Sequence, residues 1–460
     1  MKSKREQHFQ SSSVWRAIFA MAIPAVVNML VMVFYNMADM FFIAQLHDDV
    51  QVGAVSIATP VFTMIMALGS MIGGGGCALI ARTLGEGDSR RVRLYTSLCC
   101  WGSLVLGALF GLLVLAFRGR VLRFLGVNTE MWPYAQSYLT VLLLGTPVMV
   151  FTTAFGNVIR AEGAVMESMV GHLLSTVSNI LLDPLFILTF RRGVAGAAAA
   201  TVLSNLFGAA YLVRYALRKS EGISLSPRLA LRAPLELRHI LAIGLPNGTN
   251  SMLTSFASAL ANKLMVRHGT LAVAAMAAAG KSTTIITMVQ MGVCVGVQPL
   301  LAYHYGAKNL PRIREILRKL AILTVSLGLS MTLLCFFGSE WIISLFLKNP
   351  EALSLGQTII RLRVLTGPIM GFYFISTNFL QASGNAKRST LASLLRQGIL
   401  LIPLLYLMNA LFGVLGNVSA HMAADTLATV IAVCLGLKQL NKLEQQENAM
   451  QSVINGGKTA

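Results

Sequence analysis

Charge is what this sequence has least of. Asp, Glu, Lys and Arg make up 12% of its 460 residues, about half of the roughly 25% found in soluble domains. The deficit runs along the whole chain, which excludes an ordinary water-coated fold. Carboxylates are scarcer than cations, 18 against 37, for a net charge of +19. The cations alternate with apolar runs instead of forming one patch. They read as helix-end loops that follow the positive-inside rule and meet anionic lipid, so nucleic acid is not an expected partner. The six cysteines (Cys77, Cys99, Cys100, Cys294, Cys335 and Cys434) all fall in apolar stretches without a CxxC, which excludes a disulfide framework. The histidines show no HExxH spacing, and no nucleophile–base or metal constellation is present, so an enzyme has no support. Gly280-Lys281-Ser282-Thr283 imitates the end of a phosphate loop, but the position that needs glycine is Ala275 and the run is helical and apolar.

What the chain does have is apolar length. Its mean hydropathy is +0.68 and 55% of its residues are hydrophobic. Apolar runs fall at about 14–46, 51–81, 94–117, 134–160, 165–190, 194–217, 239–266, 271–303, 315–338, 357–381, 390–411 and 413–437, each long enough to span about 30 Å of hydrocarbon. The expected fold is an all-α polytopic membrane protein with twelve transmembrane helices. No signal-peptide cleavage pattern precedes the first run. Most Lys and Arg, including Arg160, Arg388 and Arg396, group with the terminal segments, so both termini are expected on the cytoplasmic side of a bacterial inner membrane.

The halves repeat at a spacing of about 221 residues. Leu79-Ile80-Ala81 and Gly85 answer to Leu300-Leu301-Ala302 and Gly306; Pro147, Asn157 and Gly163 answer to Pro368, Asn378 and Gly384. Six helices per half give parallel repeats around a normal to the membrane, with a cavity between them. The expected divisions are an N-terminal lobe at 1–217, a linker at 218–238, a C-terminal lobe at 239–440 and a tail at 441–460.

Two carboxylates lie inside predicted spans, Asp39 and Asp183. Each costs on the order of 3 kcal/mol at the bilayer centre, so each should face a cavity or a partner. Asn28, Met32, Asn36 and Asp39 share a helix face, with Tyr35 beside them, and Asn179 and Asp183 are neighbours at i,i+4. Asp39 and Asp183 have apolar counterparts in the second half, Ala261 and a position near Ile402, as suits a cation site rather than symmetric packing. Desolvation favours proton uptake by such a carboxylate, and a carboxylate with amide and hydroxyl oxygens also suits Na⁺. One charge crossing about 180 mV supplies about 4 kcal/mol, enough for a roughly thousand-fold substrate gradient. Lys281 is expected in the cavity wall of the second half, and Lys263 at a helix end.

Tyr35-Asn36-Met37-Ala38-Asp39, Gly74 to Gly85, Asn157-Val158-Ile159-Arg160-Ala161-Glu162-Gly163, Ser178 to Pro184, Gly292 to Tyr303 and Gln381-Ala382-Ser383-Gly384 resemble the multidrug and toxic compound extrusion family, closest to its bacterial multidrug-export branch. The resemblance covers about residues 14 to 440. It implies two six-helix lobes in a V around a central cavity, and a secondary antiporter exporting small organic, often cationic and amphipathic, compounds against H⁺ or Na⁺. It implies a cation site at Asp39, Asn157, Asn179, Asp183 and Thr201, a helix that bends at Pro24, and a cavity wall that includes Asn378. No cofactor is implied beyond the coupling ion, and a monomer is the default. The chain departs from the family at helices seven and ten, where Asn262, Lys263, Ser376, Thr377 and Asn378 stand in place of acidic residues, so no C-lobe carboxylate site is expected. The alternative reading is a lipid-linked oligosaccharide flippase of a related fold.

Overall fold

A computed structural model of the chain describes residues 9, 13–45, 48–220 and 222–456, without the side chains of 36–40, 43–44, 282 and 449–456. Among the described residues the chain is helical throughout. The first six long helices are α1 (Val14–Ala44), α2 (Asp49–Glu86), α3 (Ser89–Ala116), α4 (Trp132–Ala161), α5 (Val165–Pro184, continued by a π-turn over Leu185–Thr189) and α6 (Gly193–Lys219). The next four are α7 (Leu237–Val266), α8 (Thr270–Gly306), α9 (Leu310–Phe337) and α10, built from Pro350–Val364 and Gly367–Ala382. A break at Gly413 (φ 58) inside the run Leu401–Gly456 separates α11, which starts at Ala386, from α12. Helix α12 continues without interruption to Gly456, through the stretch expected as a tail.

Nine helices among the described residues are long and apolar enough to span a bilayer, or ten with the bent α10 counted as one; α11 and α12 enter that count together. Helix α7 falls short because Asn247, Thr249, Asn250 and Ser251 interrupt its middle. Asn247, Asn250 and Ser251 face inward, whereas Phe34, Leu112, Leu217 and Leu334, each more than 60% exposed, stand on the outer surface where acyl chains would lie.

The repeat is visible in backbone conformation. Asp88 caps α3 by accepting from Arg90 N and Arg91 N at 3.1 and 3.0 Å, and Asn309 caps α9 by accepting from Arg312 N at 3.1 Å. The residue before each cap has a positive φ, 78° at Gly87 and 54° at Lys308. Helix breaks follow proline chemistry. Pro368 has no N–H to give Val364 O, and the Thr332 hydroxyl donates to that carbonyl instead at 2.8 Å. Gln290 Nε2 donates to Gly367 O at 2.8 Å on the other side of the 44° bend. Helix α1, in contrast, runs on as an α-helix through Pro24.

The lobes touch through glycine. A Cβ on Gly85 would sit 1.9 Å from Tyr303 O, and one on Gly306 would sit 2.0 Å from Arg82 O. These mutual contacts join α2 to α8 at equivalent points of the repeat. Helices α2 and α7 cross just as closely, where a Cβ on Gly244 would meet Met71 O at 1.7 Å. Side chains reinforce the closure: Arg82 lies over the Tyr305 ring at 5.2 Å, and its Nη1 donates to Ser383 O at 3.4 Å.

Candidate functional site

Between the lobes lies a cavity of about 320 Å³. Helix α1 contributes Asn28, Met32 and Tyr35 to its wall, as the polar stripe of that helix predicts. Asn157 enters from α4 and Asn378 from the repeat-equivalent position on α10. The side chains of Asn36 and Asp39, on the same face of α1, lie outside the described residues.

Further along α5 and α6 from the cavity-lining Ser175 and Ser204, three more of the expected residues come together. Asn179, Asp183 and Thr201 are all buried. Asn179 Nδ2 donates to Asp183 Oδ1 at 3.2 Å and reaches Thr201 Oγ1 at 3.5 Å. Asn179 Oδ1 is buried and has no donor among the described residues. Carboxylate, carboxamide and hydroxyl oxygens thus converge at one place, a donor set that suits a hard cation or a proton. Pro184, next to Asp183, ends the α-helical pairing, and the chain widens into the π-turn that follows. Asn157 is differently engaged: its amide donates to Thr153 O at 2.7 Å, and its Oδ1 accepts from Arg160 Nη2.

Three placements differ from the sequence expectations. Lys281 does not reach this cavity; its side chain is exposed, with Nζ 6.0 Å from the centre of the Phe346 ring. It lies ten residues before the cavity residue Met291, about 80° away around α8 at 3.6 residues per turn. Arg160, grouped above with loop cations, is 8% exposed and lines the cavity. The C-lobe also holds an intramembrane carboxylate after all. Asp425 on α12 pairs with Arg396 on α11, Oδ1 to Nε 2.7 Å, and the Arg396 guanidinium stacks on Tyr373 and Phe374 at 4.9 and 5.7 Å. Both members of this pair fall inside predicted spans, and that depth was the signal available in the sequence.

Comparison with known proteins agrees with this architecture. Residues 24–185 and 246–407 match the family described as MatE, two equal segments displaced by 222 residues. The chain is 29% identical over 436 residues to the multidrug export protein MepA of Staphylococcus aureus strain MSSA476, covering 95% of this chain and 96% of that protein. It is 28% identical to MepA of Staphylococcus saprophyticus over 435 residues, with the same coverage. Among solved structures, an outward-facing multidrug resistance MATE family transporter superposes with a TM-score of 0.88 at 22% identity, over 97% of this chain and all of that one. A MATE protein in the bent conformation superposes with a TM-score of 0.90, again at 22% identity, over 97% of this chain and 99% of that one. These structural likenesses establish the fold.

Proposed function

This chain belongs to the MatE family, and on that premise we propose that it is a secondary active exporter of small amphipathic organic compounds, driven by H⁺ or Na⁺ through alternating access. The observation that carries the reading is the pairing of an inter-lobe cavity with a buried Asn179–Asp183–Thr201 cluster, whose Asn179 and Thr201 stand about one helical turn along α5 and α6 from the cavity-lining Ser175 and Ser204. A ligand-sized space flanked by a cation-competent site is what exchange requires. The cavity wall alternates carboxamides with methionine and aromatic side chains, a surface that adapts to different apolar bodies. The relatives' names, multidrug export proteins, point the same way.

In this cycle the glycine crossings of α2 with α7 and α8 close one end of the cavity. Parting them opens that end, while cation binding at Asp39 and Asp183 biases the lobes between the two states. The site would lie in the plasma membrane, with both termini in the cytoplasm. The test is dye export by purified protein in liposomes, under a pH gradient and a Na⁺ gradient imposed separately, for wild type and Asp39→Asn. Movement under one gradient, lost in the variant, is the expected result and names the ion. Full gradient-driven export by Asp39→Asn would overturn the role of Asp39, and movement under neither gradient would overturn ion-coupled export of that dye.

A further inference from the structure

Arg160 is a buried cation in the last turn of α4 that the coupling scheme above does not use. It is 8% exposed, it lines the inter-lobe cavity, and it forms no ion pair among the described residues. One arm of its guanidinium donates to Asn157 Oδ1, and its other neighbours are the Cys77 thiol and the His172 ring. Its Nε is buried with no acceptor. Glu162, two residues further on, is bound by Ser220 Oγ at 2.9 and 2.8 Å, on the linker side.

A buried guanidinium without a carboxylate is expensive to keep. The rest of the cavity wall is neutral and rich in carboxamides. Asn247, Gln298 and Gln381 line the same cavity and their amide N–H groups can donate, while the orphaned Asn250 Oδ1 calls for a donor on the ligand, as a zwitterion carries. Among the described residues the wall carries no carboxylate. The unpaired guanidinium is poorly matched to a molecule whose only polar group is a cation. It suits an amphiphile with an acidic group, because a guanidinium binds a carboxylate through two parallel charge-assisted hydrogen bonds.

We propose that Arg160 is a specificity-determining residue that receives the carboxylate of an organic substrate, making carboxylate-bearing amphiphiles, including zwitterions, the preferred class for this cavity. The inference rests on the export reading. In it, Arg160 anchors the acid, Asn157 holds the guanidinium in orientation, and Met29, Met32 and Met66 meet the apolar body.

The test uses the purified full chain in detergent and two matched dyes, a rhodamine with a free carboxylate and its methyl ester, with binding read by fluorescence polarisation. The quantity of interest is the ratio of the ester Kd to the acid Kd. Arg160→Gln is expected to lower that ratio about tenfold or more, the scale of one charge-assisted hydrogen-bond pair. Arg160→Lys, which keeps the charge but not the fork, is expected to retain part of the ratio, and it carries the test alone should Arg160→Gln not fold. A ratio unchanged in both variants overturns the proposal and leaves the export reading standing. A wild-type protein that binds neither dye overturns both.

Discussion

The two lobes share a backbone and differ in what they do with buried charge. In the N-lobe, Asp183 sits among a carboxamide and a hydroxyl, with Asn179 Nδ2 at 3.2 Å. In the C-lobe, Asp425 is locked to a guanidinium at 2.7 Å, and that guanidinium is stacked on two aromatic rings. At the spacing of the repeat, Arg396 answers to Ser175 and Asp425, counted from the matching breaks at Gly193 and Gly413, to Asn205, both uncharged cavity-lining residues in the N-lobe. The C-lobe stretch that answers to Asn179 and Asp183, around Ile402, is apolar. A carboxylate already neutralised by a fixed guanidinium has little to offer a mobile cation. One bonded by a neutral carboxamide is not tied to a guanidinium in that way. The contrast supports the proposal that coupling resides in the N-lobe, while the Arg396–Asp425 pair joins α11 to α12.

The sharpest way to break this comparison is to open the C-lobe pair. Arg396→Met leaves Asp425 without its guanidinium and should lower stability by about 3 kcal/mol, read as a drop in the thermal unfolding midpoint. Arg396→Met combined with Asp425→Leu should recover most of that loss, because both charges are then gone. A single variant as stable as wild type would show that the pair carries no structural role. A smaller effect is expected at Thr201. Thr201→Val keeps the shape and removes one oxygen, so the ion concentration for half-maximal export should rise about tenfold, the equivalent of one hydrogen-bonded oxygen. An unchanged ion dependence would remove Thr201 from the site.

The smallest effect belongs to the linker. The His239 side-chain hydrogen bond, Nδ1 to Oε2 2.9 Å, holds the Glu236 carboxyl below its ordinary range. A carboxyl depressed in the folded state adds stability above its unfolded pKa and loses it as the pH falls through the folded value. Glu236→Gln should therefore shift the unfolding midpoint by about 1 °C or less near neutrality, and by nothing in acid, since the pair is exposed. A large shift would mean that the linker clamps the two lobes together.

Much of this was legible in the sequence, and the misses share a cause. Span length and the 221-residue echo are linear signals, so the twelve helices, and even the polar α7, could be read directly. The Asn179–Asp183 pair was legible because i,i+4 places both on one face of one helix. Rotation and depth are not linear. Lys281 was misplaced because nothing in the sequence fixes how α8 turns about its axis. Arg160 stood at the end of a predicted span and was counted with the loops. In the fold its guanidinium turns inward to Asn157 and lines the cavity, so Arg160 ends up buried. Arg396 was assigned to a loop by the charge tally, and Asp425 passed unnoticed within an apolar run, because the pair becomes visible only when α11 and α12 are packed.

The central claim is that coupling resides in the N-lobe. The direct test is substrate-driven H⁺ or Na⁺ flux in proteoliposomes for wild type, Asp183→Asn and the double variant Arg396→Met with Asp425→Leu. The account predicts that Asp183→Asn abolishes the coupled flux while dye binding persists, and that the double variant keeps coupled flux per folded molecule. Coupled flux at the wild-type level in Asp183→Asn, or its loss in the double variant alone, would contradict it.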